Sequence, residues 1–283
     1  MNHTPSTALR FRLSQLTRLT QRISSIFTKR ITPRVKSIFG HQHCYLCHQY
    51  SYAIVCRYCF DRMAETGFGQ HRSATLDLLR NAAALKNLDT PNYDHLYAID
   101  NYVWPLNKLV LDMKFGQKSV AARALTSLFF HFVYSRLITQ TGTQTDTETL
   151  EGFADVFQDA GNTTHIPQLL VPVPLSNKRY WQRQYNQAQL LCEWLSKATL
   201  IPNQAIVQRV KHTKAQSTLD KEQRIANVDN AFRCDSVISV QHIALIDDVI
   251  TTGVTINAVC QAIKKHNPKV RITIWTMAIT LLK

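Results

Sequence analysis

Hydrophobic positions recur along the chain in two different ways, and each predicts a different kind of element. Short, mainly apolar runs predict β-strands at residues 168–175, 205–210, 243–246 and 270–281. Apolar residues spaced three and four positions apart predict helices at residues 61–92, 97–134 and 187–197, and again from Ile256 onward. The chain is therefore predicted to mix strands and helices.

One strand–helix junction carries a distinctive set of polar residues. The apolar run from His242 ends in Asp247 and Asp248, and a turn of small residues follows, with Thr251, Thr252, Gly253 and Thr255. A turn into a helix N-terminus presents backbone N–H groups and the positive end of the helix dipole, so it suits a phosphate. Two adjacent carboxylates beside it suit ribose hydroxyls or Mg²⁺. The alternative is an ordinary turn with an aspartate-capped tip.

Composition and charge narrow the class of protein. The chain has 283 residues, enough for one large or two modest domains, and its apolar content of 45% supports a core. The formal net charge of +14 implies anionic partners, which are nucleic acid, a phosphorylated ligand or an anionic membrane face. No apolar run is long enough to span a bilayer, and no secretory signal is recognisable, so a cytoplasmic protein is expected.

The charge is distributed unevenly. Residues 1–60 carry nine Lys and Arg and no acid, whereas residues 139–167 carry five acids and no Lys or Arg. Residues 1–40 are predicted to be either a basic amphipathic helix, which could lie on an anionic membrane face or along DNA, or a solvated tail. Their composition also fits a mitochondrial transit peptide. Residues 139–167 are polar and rich in threonine, which predicts a flexible surface insertion.

Four of the seven cysteines form one short cluster, Cys44, Cys47, Cys56 and Cys59. Two Cys-x-x-Cys pairs supply four thiolates for a tetrahedral Zn²⁺ site with no open position, which is a structural site rather than a catalytic one. Such a site would fold a small module over residues 41–64. The neighbouring aromatic and cationic residues suit either stacking on single-stranded bases or a small core around the metal; they are Tyr45, Tyr50, Tyr52, Arg57 and Tyr58.

A second candidate anion site follows the strand at residues 168–175. The loop after this strand holds Lys178, Arg179 and Arg183, and Asn186 can cap the helix that comes next. Three cations beside a helix start suit an anionic ligand. The alternative is a solvated basic loop.

Taken in order, these motifs resemble the ComF family from about residue 41 to the end. The matching features are the paired Cys-x-x-Cys module, Lys114-Phe115-Gly116, Pro172-Val173-Pro174-Leu175, Arg179, Arg183-Gln184-Tyr185-Asn186-Gln187 and Asp-Asp-x-x-Thr-Thr-Gly. Residues 243–255 are similar to the phosphoribosyl diphosphate (PRPP) signature of type I phosphoribosyltransferases. In two places the chain departs from the family: Gln184 and Tyr185 replace the usual Gly-Phe, and Ser176 replaces a histidine. Only glycine enters positive-φ geometry freely, so the first departure bears on the backbone path of the basic loop.

The resemblance implies an α/β fold of the type I phosphoribosyltransferase kind, a twisted, mainly parallel sheet flanked by helices over residues 65–283, with a small N-terminal zinc-binding module. It implies ligands at the carboxyl ends of the strands. Asp247 and Asp248 would be the catalytic residues, holding the ribose hydroxyls of PRPP directly or through Mg²⁺. The 5′-phosphate would lie in the turn formed by Thr251, Thr252, Gly253, Val254 and Thr255. Lys178, Arg179 and Arg183 would face the pyrophosphate.

Three functions are compatible with these features. The first is an accessory protein of DNA uptake in natural transformation, which binds PRPP-like ligands and single-stranded DNA at the cytoplasmic face of the inner membrane, in association with the competence machinery. The second is a Mg²⁺-dependent phosphoribosyltransferase that acts on an unidentified base or amine. The third is a regulatory protein that keeps the fold without catalysis. The first two are compatible with each other, because a PRPP site could regulate a DNA-binding role.

Overall fold

The computed structural model describes residues 42–69, 76–86, 88–116, 118–140, 166–175, 184–210 and 230–280. The strands and helices, in chain order, are β1 (Gln42–His43), β2 (Tyr50–Ser51), α1 (Arg57–Glu65), a 3₁₀ turn (Leu78–Arg80), α2 (Ala82–Leu85), β3 (His95–Asn101), α3 (Leu106–Phe115), α4 (Lys118–Phe129), a π-helical turn (Phe130–Tyr134), α5 (Ser135–Gln140), β4 (Leu169–Pro172), α6 (Gln187–Thr199), β5 (Gln208–Arg209), β6 (Phe232–Arg233), β7 (His242–Ile250), α7 (Val254–His266) and β8 (Arg271–Ile279).

Four of these strands form the central sheet, in the order β3-β8-β7-β4. Each of the three pairings is parallel. The carboxyl ends of all four strands therefore meet at the same edge of the sheet, which is the edge where parallel α/β folds bind their ligands. This arrangement confirms the prediction of a mainly parallel sheet flanked by helices.

The two central strands are buried on both faces, which explains their continuous apolar runs. In β7 the residues from His242 to Ile246 are all buried, and in β8 every residue from Ile272 to Ile279 is buried. Strands covered by helices on both sides need apolar side chains at successive positions rather than at alternate ones. The sequence-predicted strands at 243–246 and 270–281 are therefore confirmed, and the first extends through the two acids to Ile250.

Helices cover each face of the sheet. On one face, α7 buries Val254, Ile256, Val259, Cys260 and Ile263 against apolar side chains of the four strands. On the other face, α4 and α6 pack together, and α6 contacts β4 and β7. The ring of Trp275 on β8 lies 5.2 Å from Phe129 and 5.7 Å from Tyr134, measured between centroids. The result is three layers, helix, sheet and helix.

Both edge strands of the sheet have polar partners on their outer sides. At β3, the backbone N–H of Leu96 donates to the Asp77 carboxylate at 3.1 Å. At β4, the N–H of Leu170 donates to the carbonyl of Pro202, and the carbonyl of Leu170 accepts from the N–H of Gln204, both at 2.9 Å. These contacts satisfy backbone groups that an open sheet edge would leave unpaired.

Three sequence predictions about the fold are wrong in part. Residues 95–101 form strand β3, not the start of a helix, because an edge strand buried on both faces gives a short apolar run that periodicity cannot distinguish from a helix. The helix predicted at 61–92 ends at Glu65, where Gly67 and Gly69 adopt positive φ angles of 76°. The strand predicted at 205–210 is reduced to the two residues of β5, which pairs antiparallel with β6.

The remaining predictions about the fold are either confirmed or fall on residues outside the described ranges. The helix predicted at 187–197 is α6, and its N-cap Asn186 accepts from the N–H of Ala188 at 3.1 Å. Cys192, Cys234 and Cys260 are buried, as small apolar residues would be. Residues 1–40 and nearly all of the predicted insertion at 139–167 lie outside the described residues.

Candidate functional site

The two predicted acids lie side by side near the carboxyl end of β7. The backbone N–H of Asp248 donates to Oδ1 of Asp247 at 2.8 Å. Lys114 Nζ lies 2.8 Å from Asp248 Oδ2, and the exposed fractions of these two side chains are only 18% and 14%. An ion pair that is largely removed from water is stronger than one on an open surface. The acids therefore form a site for cations, and one cation is supplied by the protein.

Lys114 is positioned by the helix that carries it. It lies in the last turn of α3, whose Leu106, Leu109, Val110 and Met113 are fully buried. The hydroxyl of Tyr185 donates to the carbonyl of Met113, next to Lys114. The sequence indicated Lys114 only as part of the motif Lys114-Phe115-Gly116. No local pattern in the sequence indicates that Lys114 and Asp248 come together in the fold.

The turn after β7 has the geometry of an anion site. Gly253 is the N-cap of α7 with φ 75°, and as a glycine it contributes no side-chain cap to this helix start. A Cβ atom at Gly253 would lie 3.3 Å from Cδ2 of Leu88 and 3.7 Å from the hydroxyl of Tyr93. The first N–H groups of α7 and its dipole are thus directed at the turn that holds Thr251 and Thr252.

Residues 89–92, which the sequence did not indicate as part of the site, form hydrogen bonds with this turn and with α7. The N–H of Asp89 donates to the carbonyl of Thr252 at 2.9 Å. Asn257 on α7 donates to the carbonyl of Thr90 at 2.9 Å and accepts from the N–H of Asn92 at 3.1 Å. The segment at residues 89–92 therefore fixes the start of α7. Its only sequence signal is Asn257, an amide on the otherwise apolar face of a helix.

Tyr93 follows this segment and lies against the turn. Its hydroxyl is buried and has no hydrogen-bond partner within the described ranges. Burial raises the pKa of Tyr93, so the hydroxyl stays neutral and can donate.

The second predicted anion site is described only at its borders. Beyond β4, the N–H of Val173 donates to the carbonyl of Ile246 at 3.0 Å, and Asn186 Nδ2 donates to the carbonyl of Val173 at 3.0 Å. The end of β4 and the start of α6 are thus held beside β7. Lys178, Arg179 and Arg183 lie outside the described residues, so their role at a pyrophosphate stays a prediction.

The four clustered cysteines converge as their spacing predicted. The thiol sulfurs of Cys44, Cys47, Cys56 and Cys59 all lie within 4.8 Å of one another. The distance from Cys44 Sγ to Cys59 Sγ is 3.8 Å, and that from Cys47 Sγ to Cys56 Sγ is 3.6 Å. A tetrahedral ion with Zn–S bonds of about 2.3 Å requires sulfurs about 3.8 Å apart. The cluster could hold a metal ion and is consistent with structural zinc.

Comparison with known proteins identifies the family. Residues 201–278 match the model of the phosphoribosyl transferase domain. The chain is 33% identical over 194 residues to Competence protein F of Haemophilus influenzae, an alignment that covers 66% of this chain and 74% of that protein. The chain belongs to the ComF family.

Other proteins are similar to this ComF chain. The DNA utilization protein YhgH of Salmonella typhimurium is 30% identical over 195 residues, covering 68% of this chain and 74% of that protein. Competence protein ComFC of Bacillus subtilis is 27% identical over 134 residues, covering 47% and 54%. The chain is thus a member of a competence and DNA-utilization family, and it carries a phosphoribosyltransferase-type domain.

The thiols of the ComF chain differ in their acidity. Burial and then the neighbouring thiols raise the pKa of Cys59. At Cys44 burial also opposes ionisation, but hydrogen bonds with the backbone at Cys47, Cys56 and Leu46 lower its pKa to about 7. Four thiolates at these distances therefore need the positive charge of a metal ion to coexist.

The residues around the cysteines are divided between the core and the surface. Tyr45 donates to Oδ2 of Asp112 at 2.9 Å, which joins the module to α3. Tyr50, Tyr52 and Tyr58, by contrast, are 75%, 72% and 60% exposed. His43 and His48 are exposed, and Nδ1 of His43 donates to the backbone carbonyl of His48 at 2.8 Å, so this nitrogen is engaged outside the cluster of four cysteines that could hold a metal ion. Of the two alternatives for the tyrosines, a small core applies to Tyr45 alone.

Among the described residues of the ComF chain, no helix has the length and apolarity needed to span a bilayer.

Proposed function

We propose that this ComF-family protein binds PRPP or a closely related phosphoribosyl ligand at the turn after β7 and binds single-stranded DNA through its basic N-terminal part, as an accessory of DNA uptake. The relatives named for competence and DNA utilization support the biological role. The proposed place of action is the cytoplasmic face of the inner membrane, where incoming single strands would be met.

One observation carries the ligand proposal. Asp247 and Asp248 share the carboxyl edge of the sheet with a helix N-terminus whose N-cap residue, Gly253, carries no side chain. A ribose 5-phosphate needs both features, acceptors for its hydroxyls and donors for its phosphate. The acids would accept from the ribose hydroxyls, and the N–H groups from Val254 onward would donate to the phosphate.

The site residues also fit Mg²⁺. Asp247 and Asp248 are hard oxygen ligands, and the ion pair with Lys114 shows that the site attracts a cation. When bound there, Mg²⁺ would supply positive charge to the diphosphate of the ligand. Lys114 would then be released from Asp248 and could itself pair with the diphosphate.

The test of the ligand site is calorimetry of the purified protein with PRPP, with and without Mg²⁺. Binding is expected only with Mg²⁺ and is expected to be lost when Asp247→Asn and Asp248→Asn are combined. The matched control combines Asp61→Asn with Asp235→Asn, which removes the same charge from exposed positions outside the turn. Equal PRPP affinity in the two double variants would refute the proposed site.

The DNA part of the proposal rests on charge and on exposed rings. The net charge of +14 gives a salt-dependent attraction to phosphates, and exposed tyrosine faces stack on bases. Affinity for an oligonucleotide should fall steeply with salt, and a shallower slope is expected when Arg10, Arg12, Arg18 and Arg22 are changed to Gln. Adding PRPP and Mg²⁺ to the same titration tests whether the two ligands compete.

Phosphoribosyl transfer is the second candidate, favoured by the intact pair of acids and phosphate turn. In such a reaction the bond from C1 of the ribose to pyrophosphate breaks and an acceptor nitrogen forms the new bond to C1. Nearby carboxylates stabilise the positive charge that develops on the sugar. Release of pyrophosphate from PRPP in the presence of candidate bases and amines is the measurement. PRPP binding without turnover of any acceptor would instead favour the regulatory function.

A further inference from the structure

A groove on the helical face away from α7 has features of a second ligand site. Three parts of the fold form its walls: the cysteine module through Ile54 and Phe60, α4 together with the π-helical turn, and α6. Its volume of about 490 Å³ lies in the range of sites for small organic ligands. Neither Asp247 nor the turn after β7 lines it, so the groove is separate from the proposed PRPP site.

The groove combines one aromatic ring with two cations. Arg123 Cζ lies 5.3 Å and Lys197 Nζ lies 4.5 Å from the ring centroid of Trp194, and both distances are within the range of cation–π attraction. All three residues line the groove, and the lining residues from the described ranges include no Asp or Glu. The groove therefore brings an aromatic ring and two cations together, and a ligand that stacks on the ring would draw the cations from the ring to an attached phosphate.

A buried hydroxyl in the groove lacks a partner. Thr126 lines the groove and is only 5% exposed, and its Oγ1 makes no hydrogen bond to the described residues. Helical threonines usually donate to the carbonyl four residues earlier, as Thr139 and Thr199 do here at 2.9 and 2.8 Å. A buried hydroxyl without such a bond costs stability.

The backbone beside this threonine is irregular as well. The helix that begins with α4 continues at Phe130–Tyr134 as a π-helical turn, and Phe130 and His131 of this turn line the groove. Single π turns within helices are frequent at functional sites because they widen the helix locally. The ring of His131 lies 4.4 Å from that of Phe60, so the turn also contacts the wall from the cysteine module.

We infer that this groove binds a nucleotide unit, with the base on Trp194 and the phosphate at Arg123 and Lys197. An aromatic face suits a base of any sequence, and two cations suit one phosphate. The apolar side chains around them, from Ile54, Phe60 and Phe130, favour a ligand with an apolar part over a simple anion. The unit is either a free nucleotide or part of a single strand.

The experiment follows ¹⁹F resonances of the full chain labelled with 5-fluorotryptophan, with the signal of Trp194 assigned from Trp194→Phe. The probes are thymidine 5′-monophosphate, a 12-residue oligothymidylate and inorganic phosphate. The background carries Asp247→Asn and Asp248→Asn, so that a response cannot come from the turn after β7. A shift with the monophosphate supports a site for free nucleotides, and a shift with the oligonucleotide alone supports a site for the strand.

Variants at the groove complete the test. Arg123→Gln combined with Lys197→Gln should weaken binding of the responsive probe about tenfold or more, whereas Lys265→Gln combined with Lys269→Gln, which removes the same charge outside the groove, should not. The inference is overturned if no probe moves the Trp194 signal, if phosphate moves it as far as the nucleotide, or if the two double variants bind equally.

Because the background lacks both acids, a failure here leaves the PRPP proposal standing, and a failure of PRPP binding leaves this inference standing.

Discussion

At the scale of single residues, Gln184 shows how the chain accommodates a departure from its family. The family usually has glycine at this position, and here a glutamine adopts the left-handed conformation with φ 65°. The next residue, Tyr185, uses the hydroxyl that the usual phenylalanine lacks to hold the carbonyl of Met113. Glutamine thus adopts at this position a conformation that glycine enters freely, at the expense of local strain.

Substitutions at this position should report that strain. Gln184→Gly is expected to leave the free energy of unfolding unchanged or to raise it by up to about 1 kcal/mol, because glycine adopts the left-handed region freely. Gln189→Gly, within α6, should lower it by about 1 kcal/mol, since that backbone is helical. Urea unfolding of both variants is the measurement, and an equal loss of stability in both would contradict the explanation.

His242 makes a pH-dependent contribution at the same scale. Its Nδ1–H donates to the carbonyl of Ile166 at 3.1 Å, and its Nε2 accepts from the hydroxyl of Thr273 at 2.6 Å, so the ring is held neutral. Burial, and then the charge of Arg271, lower the pKa of His242 to about 4.

A histidine whose pKa is lowered on folding destabilises the fold in acid. Below pH 6.5 the unfolded chain takes up a proton that the folded chain does not accept until about pH 4. Stability should therefore be complete above pH 6.5 and fall by about 3 kcal/mol as the pH approaches 4. The difference in unfolding free energy between wild type and His242→Gln, measured across this pH window, separates the effect of His242 from those of carboxylate protonation and metal loss. A difference that does not change with pH would contradict it.

At the scale of elements, the start of α7 is both a packed part of the fold and the proposed binding site for the phosphate. Gly253 serves the turn in two ways, by adopting φ 75° and by leaving room for Leu88 and Tyr93. The helix that follows is held by Asn257 from one side and by the core from the other. Contacts within the protein therefore fix the start of α7.

Gly253→Ala should lower the stability of the protein by more than backbone strain alone would. We expect a loss of about 1–2 kcal/mol in stability and a loss of PRPP affinity, because the new Cβ would press on Leu88 and shift the turn. Gly67→Ala is the matched control, since Gly67 has φ 76° and nothing within 4 Å of its Cβ position. It should lose about 1 kcal/mol and keep its ligand affinity. Equal effects on PRPP binding in both variants would count against the role of the turn.

The elements also show what a sequence can and cannot predict. Strand β7, the turn and α7 were predictable because their residues are contiguous and their roles follow from local patterning. The ion pair of Lys114 with Asp248, the support by residues 89–92 and the strand β3 were not. They depend on contacts between distant parts of the chain, which no local pattern encodes.

At the scale of the whole molecule, the cysteine module is attached to the rest of the fold at two places. Tyr45 reaches Asp112 on α3, and Phe60 lies 6.1 Å from Phe132, measured between ring centroids, in the π-helical turn. Although burial opposes it, hydrogen bonds from Lys108 and Tyr45 lower the pKa of Asp112, which keeps this anchor charged. The module is therefore packed against the phosphoribosyltransferase-type domain.

Removal of the metal should affect more than the module. Purified protein is expected to contain one equivalent of zinc, and Cys47→Ser combined with Cys56→Ser should abolish it and lower the unfolding temperature by several degrees. Cys234→Ser, at a buried cysteine outside the cluster, is the control and should retain the metal. Elemental analysis and thermal unfolding are the measurements. Full zinc content in the double variant would show that other ligands hold the ion.

The covered margins of the central sheet determine how this protein can meet a partner. Asp77 blocks one margin and the chain at Pro202–Gln204 blocks the other, so the bonded groups cannot template an additional strand from another molecule. Recruitment by β-augmentation is closed at these positions, and so is the edge-to-edge growth that leads to aggregates. At these two edges, recognition is left to side chains and loops, which suits a flexible nucleic acid strand better than an extended peptide.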